Sequence, residues 1–340
     1  MEVLVTGGAG YIGSHTCMEL LSNDNKIIVV DNLSNSKIEP LLRLQKMSGK
    51  NIKFYQYDLT SKEELEKVFL ENNIDVVVHF AGFKAVGESV RDPLKYYNNN
   101  IISTLNLCEV MNKFNVKKMV FSSSATVYSP TDSGEVYESS QLGTINPYGR
   151  TKLMIEDIFR DIYNSDKSWS ISLLRYFNPV GSHSSGMIGE DPQGVPCNLM
   201  PYISQVAIGR LEKLLVYGDD YNTIDGTGVR DYVHVVDLAM GHLMAIEKVM
   251  SSTGIEAYNL GTGKGYSVLE MIHIFEVISG KKVPYSIVER REGDQAICYA
   301  NVKKAKDELK WEAKIGIEDM CRDTWKWQLS NPDGYTRTDN

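Results

Sequence analysis

Cysteine is scarce in this 340-residue chain: Cys17, Cys108, Cys197, Cys298 and Cys321 are scattered, odd in number and form no C-x-x-C pair. That excludes a disulfide framework and reads as free thiols in a reducing compartment. Histidine is also rare, with six residues and no metal-ligand spacing, so no metal site is expected. No apolar run approaches the length of a membrane span, and no basic run is present to track nucleic-acid phosphates. The net charge of −8 serves solubility. Strand-like sequence begins at residue 2, so no signal peptide is expected. These absences leave a soluble cytoplasmic enzyme or binding protein of roughly two domains.

What the chain does have is alternation. Val3–Val5, Lys26–Val30, Ile52–Tyr55, Val76–Phe80 and Met119–Phe121 read as short buried strands, with helical candidates at Lys62–Glu71 and Leu94–Phe114 between them. A sixth strand, Ile171–Arg175, follows a helix that starts near Tyr148. The pattern predicts an α/β fold, a doubly wound parallel sheet over residues 1–180. A smaller mixed α/β domain is expected over 181–340, opening with a Gly-, Pro- and Ser-rich loop at Gly181–Pro201. Within it a helix is expected at Tyr202–Gly209, strands at Leu214–Tyr217 and Tyr232–Val236, and a helix from Asp237. The segment around 230–250 is the soft point, because the strand at Tyr232 could rejoin the edge of the first sheet.

Directly after the first strand comes Gly7-x-x-Gly10-x-x-Gly13, then an amphipathic helix. Glycines there let backbone N–H groups approach a phosphate at a helix N-terminus, the Rossmann-like solution for a dinucleotide. Asp31 ends the second strand, where a carboxylate accepts from both adenosine ribose hydroxyls and repels a 2′-phosphate. The cofactor is therefore expected to be NAD. Asp58 closes the third strand and reads either as an adenine contact or as a helix N-cap.

Tyr-x-x-x-Lys occurs three times, as Tyr148/Lys152, Tyr163/Lys167 and Tyr299/Lys303, so the spacing by itself carries little. The first pair stands out by its setting. Asn146-Pro147 supplies a cap and a first-turn proline, and Ser122-Ser123-Ser124 lies at the end of the preceding strand. Oxidising an alcohol requires a base, and a free phenol with a pKa of about 10 is a poor one at neutral pH. A nearby ammonium and a positively charged nicotinamide favour the phenolate, while Ser124 can share the same oxygen. Tyr148, Lys152 and Ser124 are the candidate catalytic residues. His79 and His234, in apolar strands, read as satisfied core residues.

At these residues the chain resembles the extended short-chain dehydrogenase/reductases, and among them the UDP-galactose 4-epimerase family. The resemblance runs nearly end to end, through Gly7–Ser14, Asp31–Ser36, His79–Ser89, Tyr97–Asn100, Ser122–Tyr128, Arg175–Gly181, Asn198–Tyr202, Asp225–His234 and Arg291-Glu292-Gly293-Asp294. It implies that NAD oxidises C4 of a UDP-hexose, that the 4-ketopyranose turns over, and that hydride returns to its other face. It further implies cofactor contacts at Gly7, Gly10, Tyr11, Ile12, Gly13, Asp31, Asn32, Asp58, Leu59, Phe80, Ala81, Lys84, Asn99, Ser122, Tyr148, Lys152 and Phe177. UDP-sugar contacts are implied at Ser124, Tyr148, Asn178, Asn198, Leu199, Tyr217, Arg230, Arg291, Asp294 and Cys298, the two arginines suiting a diphosphate.

Family members carry a tyrosine or a small residue at position 298; here Cys298 is small, which implies room for a 2-N-acetyl group. The resemblance also implies a homodimer built on Leu94–Phe114 and Tyr148–Tyr163. Related 4,6-dehydratases carry an Asp-Glu pair where this chain has Ala125 and Thr126, so elimination of water is disfavoured. A UDP-uronate 4-epimerase and a non-catalytic NAD-binding regulator remain as alternatives.

Overall fold

The computed structural model describes residues 1–131, 133–291 and 294–336. Glu292 and Gly293 of the Arg-Glu-Gly-Asp stretch lie outside the described residues. The first half runs β1 (Glu2–Thr6), α1 (Tyr11–Ser22), β2 (Lys26–Val30), α2 (Glu39–Ser48), β3 (Lys53–Tyr55) and α3 (Lys62–Leu70). It continues through β4 (Val76–His79), α4 (Val86–Arg91), α5 (Pro93–Lys113), β5 (Lys118–Ser122), β6 (Glu135–Val136), α6 (Pro147–Ser165) and β7 (Ser170–Tyr176). The second half holds β8 (Asn178–Val180), α7 (Leu199–Ala207), β9 (Leu214–Tyr217), β10 (Val229–His234), α8 (Val235–Ser251) and β11 (Gly254–Leu260). Last come β12 (Gly265–Ser267), α9 (Val268–Ser279), β13 (Tyr285–Val288), β14 (Ile297–Ala300) and α10 (Ile317–Ser330).

Seven parallel strands form the main sheet in the order β11-β7-β5-β4-β1-β2-β3. Its strands are apolar on both faces because helices cover both: α1, α2 and α8 on one side, around Val3, Val5, Leu20, Leu41 and Leu238. The other side packs α3, α5 and α6 through Leu65, Leu107, Ile155 and Phe159. The chain order reverses between β1 and β4, and a crevice for ligand opens beyond the carboxyl ends of the strands at such a point. The glycine turn leaves β1 there.

Of the segment around 230–250 that could rejoin this sheet, the strand at Tyr232 does not pair with it, while α8 packs on its face. β10 ends at His234 and pairs with β8, β12 and β14. It is α8, beginning at Val235, and β11 that return, β11 extending the sheet beside β7 over seven residues. A third core joins α7, β9, β10, α9 and α10 through Ile203, Val216, Tyr232, Phe275 and Trp325. Helix α7 starts at Leu199, earlier than the expected Tyr202, because Pro201 falls in the first turn where its missing N–H costs nothing. Helices α2, α4, α9 and α10 and strands β6, β8, β11, β12, β13 and β14 had no counterpart in the expected elements.

Candidate active site

The turn after β1 is shaped by absence of side chains. Gly7 has φ +71°, and a Cβ there would stand 2.7 Å from the Ala81 nitrogen. A Cβ on Gly13 would stand 2.4 Å from the Gly7 carbonyl oxygen. Gly10 precedes α1 without a capping side chain, so the N–H groups of Tyr11, Ile12 and Gly13 have no side-chain oxygen supplied to them. A helix N-terminus left open in this way is suited to an anion. Tyr11 reaches out of the turn and donates its hydroxyl to the Gly181 carbonyl at 2.6 Å.

Asp31 is buried and its carboxylate is already organised. It accepts from the Ala9 N–H at 3.1 Å, the Leu33 N–H at 2.9 Å and the Ser36 hydroxyl at 2.8 Å. Burial pushes its carboxyl above the usual range, against the pull of those three donors. Asn32 donates to Asp58 Oδ2 at 2.8 Å, while Thr60 donates both its N–H and its hydroxyl to Asp58 Oδ1. Asp58 is not the helix cap, since Ser61 precedes α3. Leu59 is buried, the Phe80 ring packs 4.7 Å from His242, and the Ala81 N–H faces the Thr6 hydroxyl at 3.4 Å. Asn99 turns its amide to Asn100 Oδ1 at 3.0 Å.

Asn146 caps α6 by accepting from the Gly149 N–H at 2.8 Å, and Pro147 fills the first turn. Tyr148 and Lys152 therefore share one buried face. The Lys152 ammonium donates to the Ser122 carbonyl at 2.7 Å and stands 5.9 Å from the centre of the Tyr148 ring. Burial lowers the pKa of Lys152 to about 7. The same burial pushes the Tyr148 phenol up, and the neighbouring Ser124 hydroxyl pulls it back in part. In the protein taken by itself burial is the larger influence on the phenol, and the Ser124 hydroxyl the opposing one. Ser124 Oγ accepts from both the N–H and the hydroxyl of Thr126, at 3.2 and 2.9 Å. Ala125 and Thr126 form a single tight helical turn that steadies Ser124 and offers no acid–base pair. Of the other Tyr-x-x-x-Lys pairs, Tyr163/Lys167 ends as an ammonium over a ring at 4.1 Å, and Tyr299 lies in strand β14.

The second half contributes a separate group. Arg230 on β10 donates to Asp294 Oδ1 at 2.8 Å and lies in register with Cys298 on β14. The Arg291 guanidinium stacks 3.8 Å above the Tyr217 ring. Cys298 is half-buried against a cluster that includes Phe177, Tyr128 and Val136, and burial raises its thiol to about 11. Asn178 is exposed at the start of β8. Asn198, just before Leu199, donates to Glu190 Oε1 at 2.8 Å, and the Lys84 ammonium lies 3.4 Å from that oxygen. Glu190 thus joins an expected cofactor contact to an expected sugar-nucleotide contact, and no motif spacing marks it. His79 bridges Thr6 and Thr104 at 2.7 and 3.0 Å, a satisfied core residue. His234 accepts from the Val236 N–H at 3.1 Å and caps α8.

The sequence profile of the GDP-mannose 4,6 dehydratase family matches residues 4–324. The chain is 61% identical over 335 residues to the UDP-glucose 4-epimerase of Bacillus subtilis (strain 168), covering 98% of this chain and 99% of that one. The chain belongs to the UDP-glucose 4-epimerase family. A crystal structure of the Bifidobacterium longum UDP-glucose 4-epimerase with NAD+ and UDP is 53% identical, with a TM-score of 0.96 over 98% of this chain and all of that one. The UDP-Glc/GlcNAc 4-epimerase of Campylobacter jejuni is 35% identical with a TM-score of 0.84, over 97% of this chain and 99% of that one. Family membership agrees with the seven-stranded parallel sheet and its flanking helices. Among the described residues no helix is long and apolar enough to cross a membrane.

Proposed function

We propose that this chain interconverts UDP-galactose and UDP-glucose with tightly held NAD, and that it also accepts the N-acetylated pair. The observation that carries the reading is the meeting of Tyr148, Lys152 and the Ser122–Ser124 row at the carboxyl edge of the sheet that holds the glycine turn. The residues fit a dinucleotide: the uncapped N-terminus of α1 for the pyrophosphate, Gly7 and Gly13 for close approach, and Asp31 for the adenosine ribose. NAD supplies a hydride acceptor for C4 and the same hydride for the return.

Tyr148 takes the proton of the 4-hydroxyl as C4 becomes a ketone, and gives it back when the carbon is reduced. Ser124 shares that hydroxyl, held by Thr126. Lys152 is anchored on the Ser122 carbonyl and keeps donors for the nicotinamide ribose. Asp294 orients Arg230, and Tyr217 supports Arg291, so two cations face a diphosphate from fixed bases. UDP is gripped while the hexose turns. Cys298 leaves room beside the sugar for an acetamide. Exposed Leu94, Ile102 and Leu105 on α5, with Met154 on α6, suit the proposed homodimer.

Purified protein, with no NAD added, is incubated separately with UDP-galactose and UDP-N-acetylgalactosamine, and the anomeric proton signals are followed by NMR. Conversion of both is expected. Conversion of UDP-galactose alone removes the N-acetyl part. Conversion of neither, with NAD supplied, overturns the reading.

A further inference from the structure

Glu156 is fully buried on α6, one turn beyond Lys152, and the reaction as described makes no use of it. Its carboxylate is fully occupied on one side: Ser123 Oγ donates to Oε1 at 2.6 Å and Arg175 Nε to the same atom at 2.9 Å. Arg175 Nη2 meets Oε2 at 2.5 Å, and Arg160 approaches that oxygen at 3.3 Å. Burial would raise this carboxyl, but the Arg175 guanidinium holds it below its usual range, so it is charged. Arg175, on β7, is 1% exposed and spends Nη1 on Tyr128 Oη and the Glu138 carbonyl, both at 3.1 Å. Tyr128 in turn donates to Asn259 Oδ1 at 2.6 Å.

A buried ion pair is a poor way merely to fill a core. Apolar side chains of the same volume often serve as well or better, because two charges must leave water. The placement of this one suggests what it is for. Tyr148, Lys152 and Glu156 recur every four residues and form one stripe of α6. Lys152 grips the carbonyl of Ser122, and Glu156 grips the hydroxyl of Ser123. The next residue is Ser124, whose hydroxyl is steadied by Thr126 and neighbours the Tyr148 phenol. From the other side β7 sends Tyr176 to the Ser122 hydroxyl and Arg175 to Glu156, successive side chains on opposite faces of one strand.

We propose that Glu156, locked by Arg175, is a positioning residue that fixes the exit of β5 against α6 and so sets Ser124 against the Tyr148 oxygen. It touches neither substrate nor cofactor and acts through Ser123. The proposal rests on the epimerase reading for its kinetic test. Misplacing reacting groups by about an ångström is worth up to about a hundredfold in rate.

Two variants of the NAD-loaded protein test it: Ser123→Ala, and the double change Glu156→Leu with Arg175→Met. The double change replaces the ion pair by apolar bulk and keeps the protein folded, whereas Glu156→Gln alone would strand the Arg175 charge. Ser123→Ala and the double variant are each expected to lose about tenfold to a hundredfold in kcat on UDP-galactose, with KM and NAD content little changed. Combining Ser123→Ala with the double change adds no further loss, because both act through one contact. A folded double variant with wild-type kcat overturns the proposal, as does a combined loss equal to the product of the separate ones. Should the wild-type chain convert neither sugar nucleotide, the reaction reading falls and a second measurement decides the positioning. The Tyr148 phenol is titrated by ultraviolet difference absorbance against the Tyr148→Phe counterpart of each background. An upward move of the midpoint in the double variant, from the loosened Ser124 contact, upholds the proposal; an unmoved midpoint overturns it.

Discussion

Tyr11 donates its hydroxyl to the carbonyl of Gly181 across 2.6 Å, joining the first turn of α1 to the loop that opens the second half. His15, one turn further along α1, accepts from the His183 N–H at 3.1 Å and repeats the join. The glycine turn is therefore braced by the second half of the chain.

Removing the Tyr11 hydroxyl alone tests that brace. Tyr11→Phe is expected to lower stability by about 1–2 kcal/mol, since it leaves the Gly181 carbonyl without its donor. It should also shorten NAD retention. Urea unfolding and the NAD remaining after gel filtration are the measurements.

Tyr148→Phe separates proton transfer from binding. Turnover of UDP-galactose is expected to fall by about a hundredfold or more, with NAD content unchanged, as judged by absorbance and NMR. Near-normal kcat would remove Tyr148 from its assigned role.

Lys152 predicts a pH dependence in nucleotide-stripped protein. Its folded pKa is lowered to about 7 from 10.5, so burying the charge costs stability in full below pH 7, where both states are protonated. Between pH 7 and 10.5 the unfolded chain binds the extra proton, and stability rises with pH; above that window the cost is gone. Lys152→Met is expected to stabilise the stripped protein most at pH 6, with the advantage shrinking as pH climbs. Urea midpoints from pH 6 to pH 10 check it. A constant difference would contradict the burial argument.

Cys298→Tyr probes the pocket beside the sugar. Conversion of UDP-N-acetylglucosamine is expected to fall at least about tenfold relative to that of UDP-galactose, by filling space an acetamide needs. Parallel NMR assays measure the ratio. Equal loss on both substrates would make the residue part of the Phe177 and Val136 packing and nothing more.

Much of this was legible in the residues because the relevant signals are local. The parallel strands announce themselves as β-branched runs, and the start of α6 is written in Asn146-Pro147, whose cap forms as expected. Strand β11 was not legible, since its place beside β7 is decided by a pairing across 84 positions, Gly254 against Ser170. Glu156 was half legible: its four-residue spacing from Lys152 puts it on the face of Tyr148 and Lys152, but Arg175 comes from β7 and Ser123 from just beyond the end of β5. Glu190 had no signal, being a loop carboxylate whose meaning comes from Lys84 and Asn198. The dryness around the Tyr148 phenol was not legible, because a sequence shows which charges are near in number but not how buried they sit.

The return of α8 and β11 to the first sheet has a consequence for how the chain is made. A growing polypeptide that has reached the end of β7 carries six of the seven strands, with β7 as a bare border rich in apolar residues. Its cover arrives only when Gly254–Leu260 has been synthesised. Until then that border is open to pairing with another nascent chain. A fragment cut after the sixth strand would inherit the same exposed flank for good, so the first half is not a detachable part.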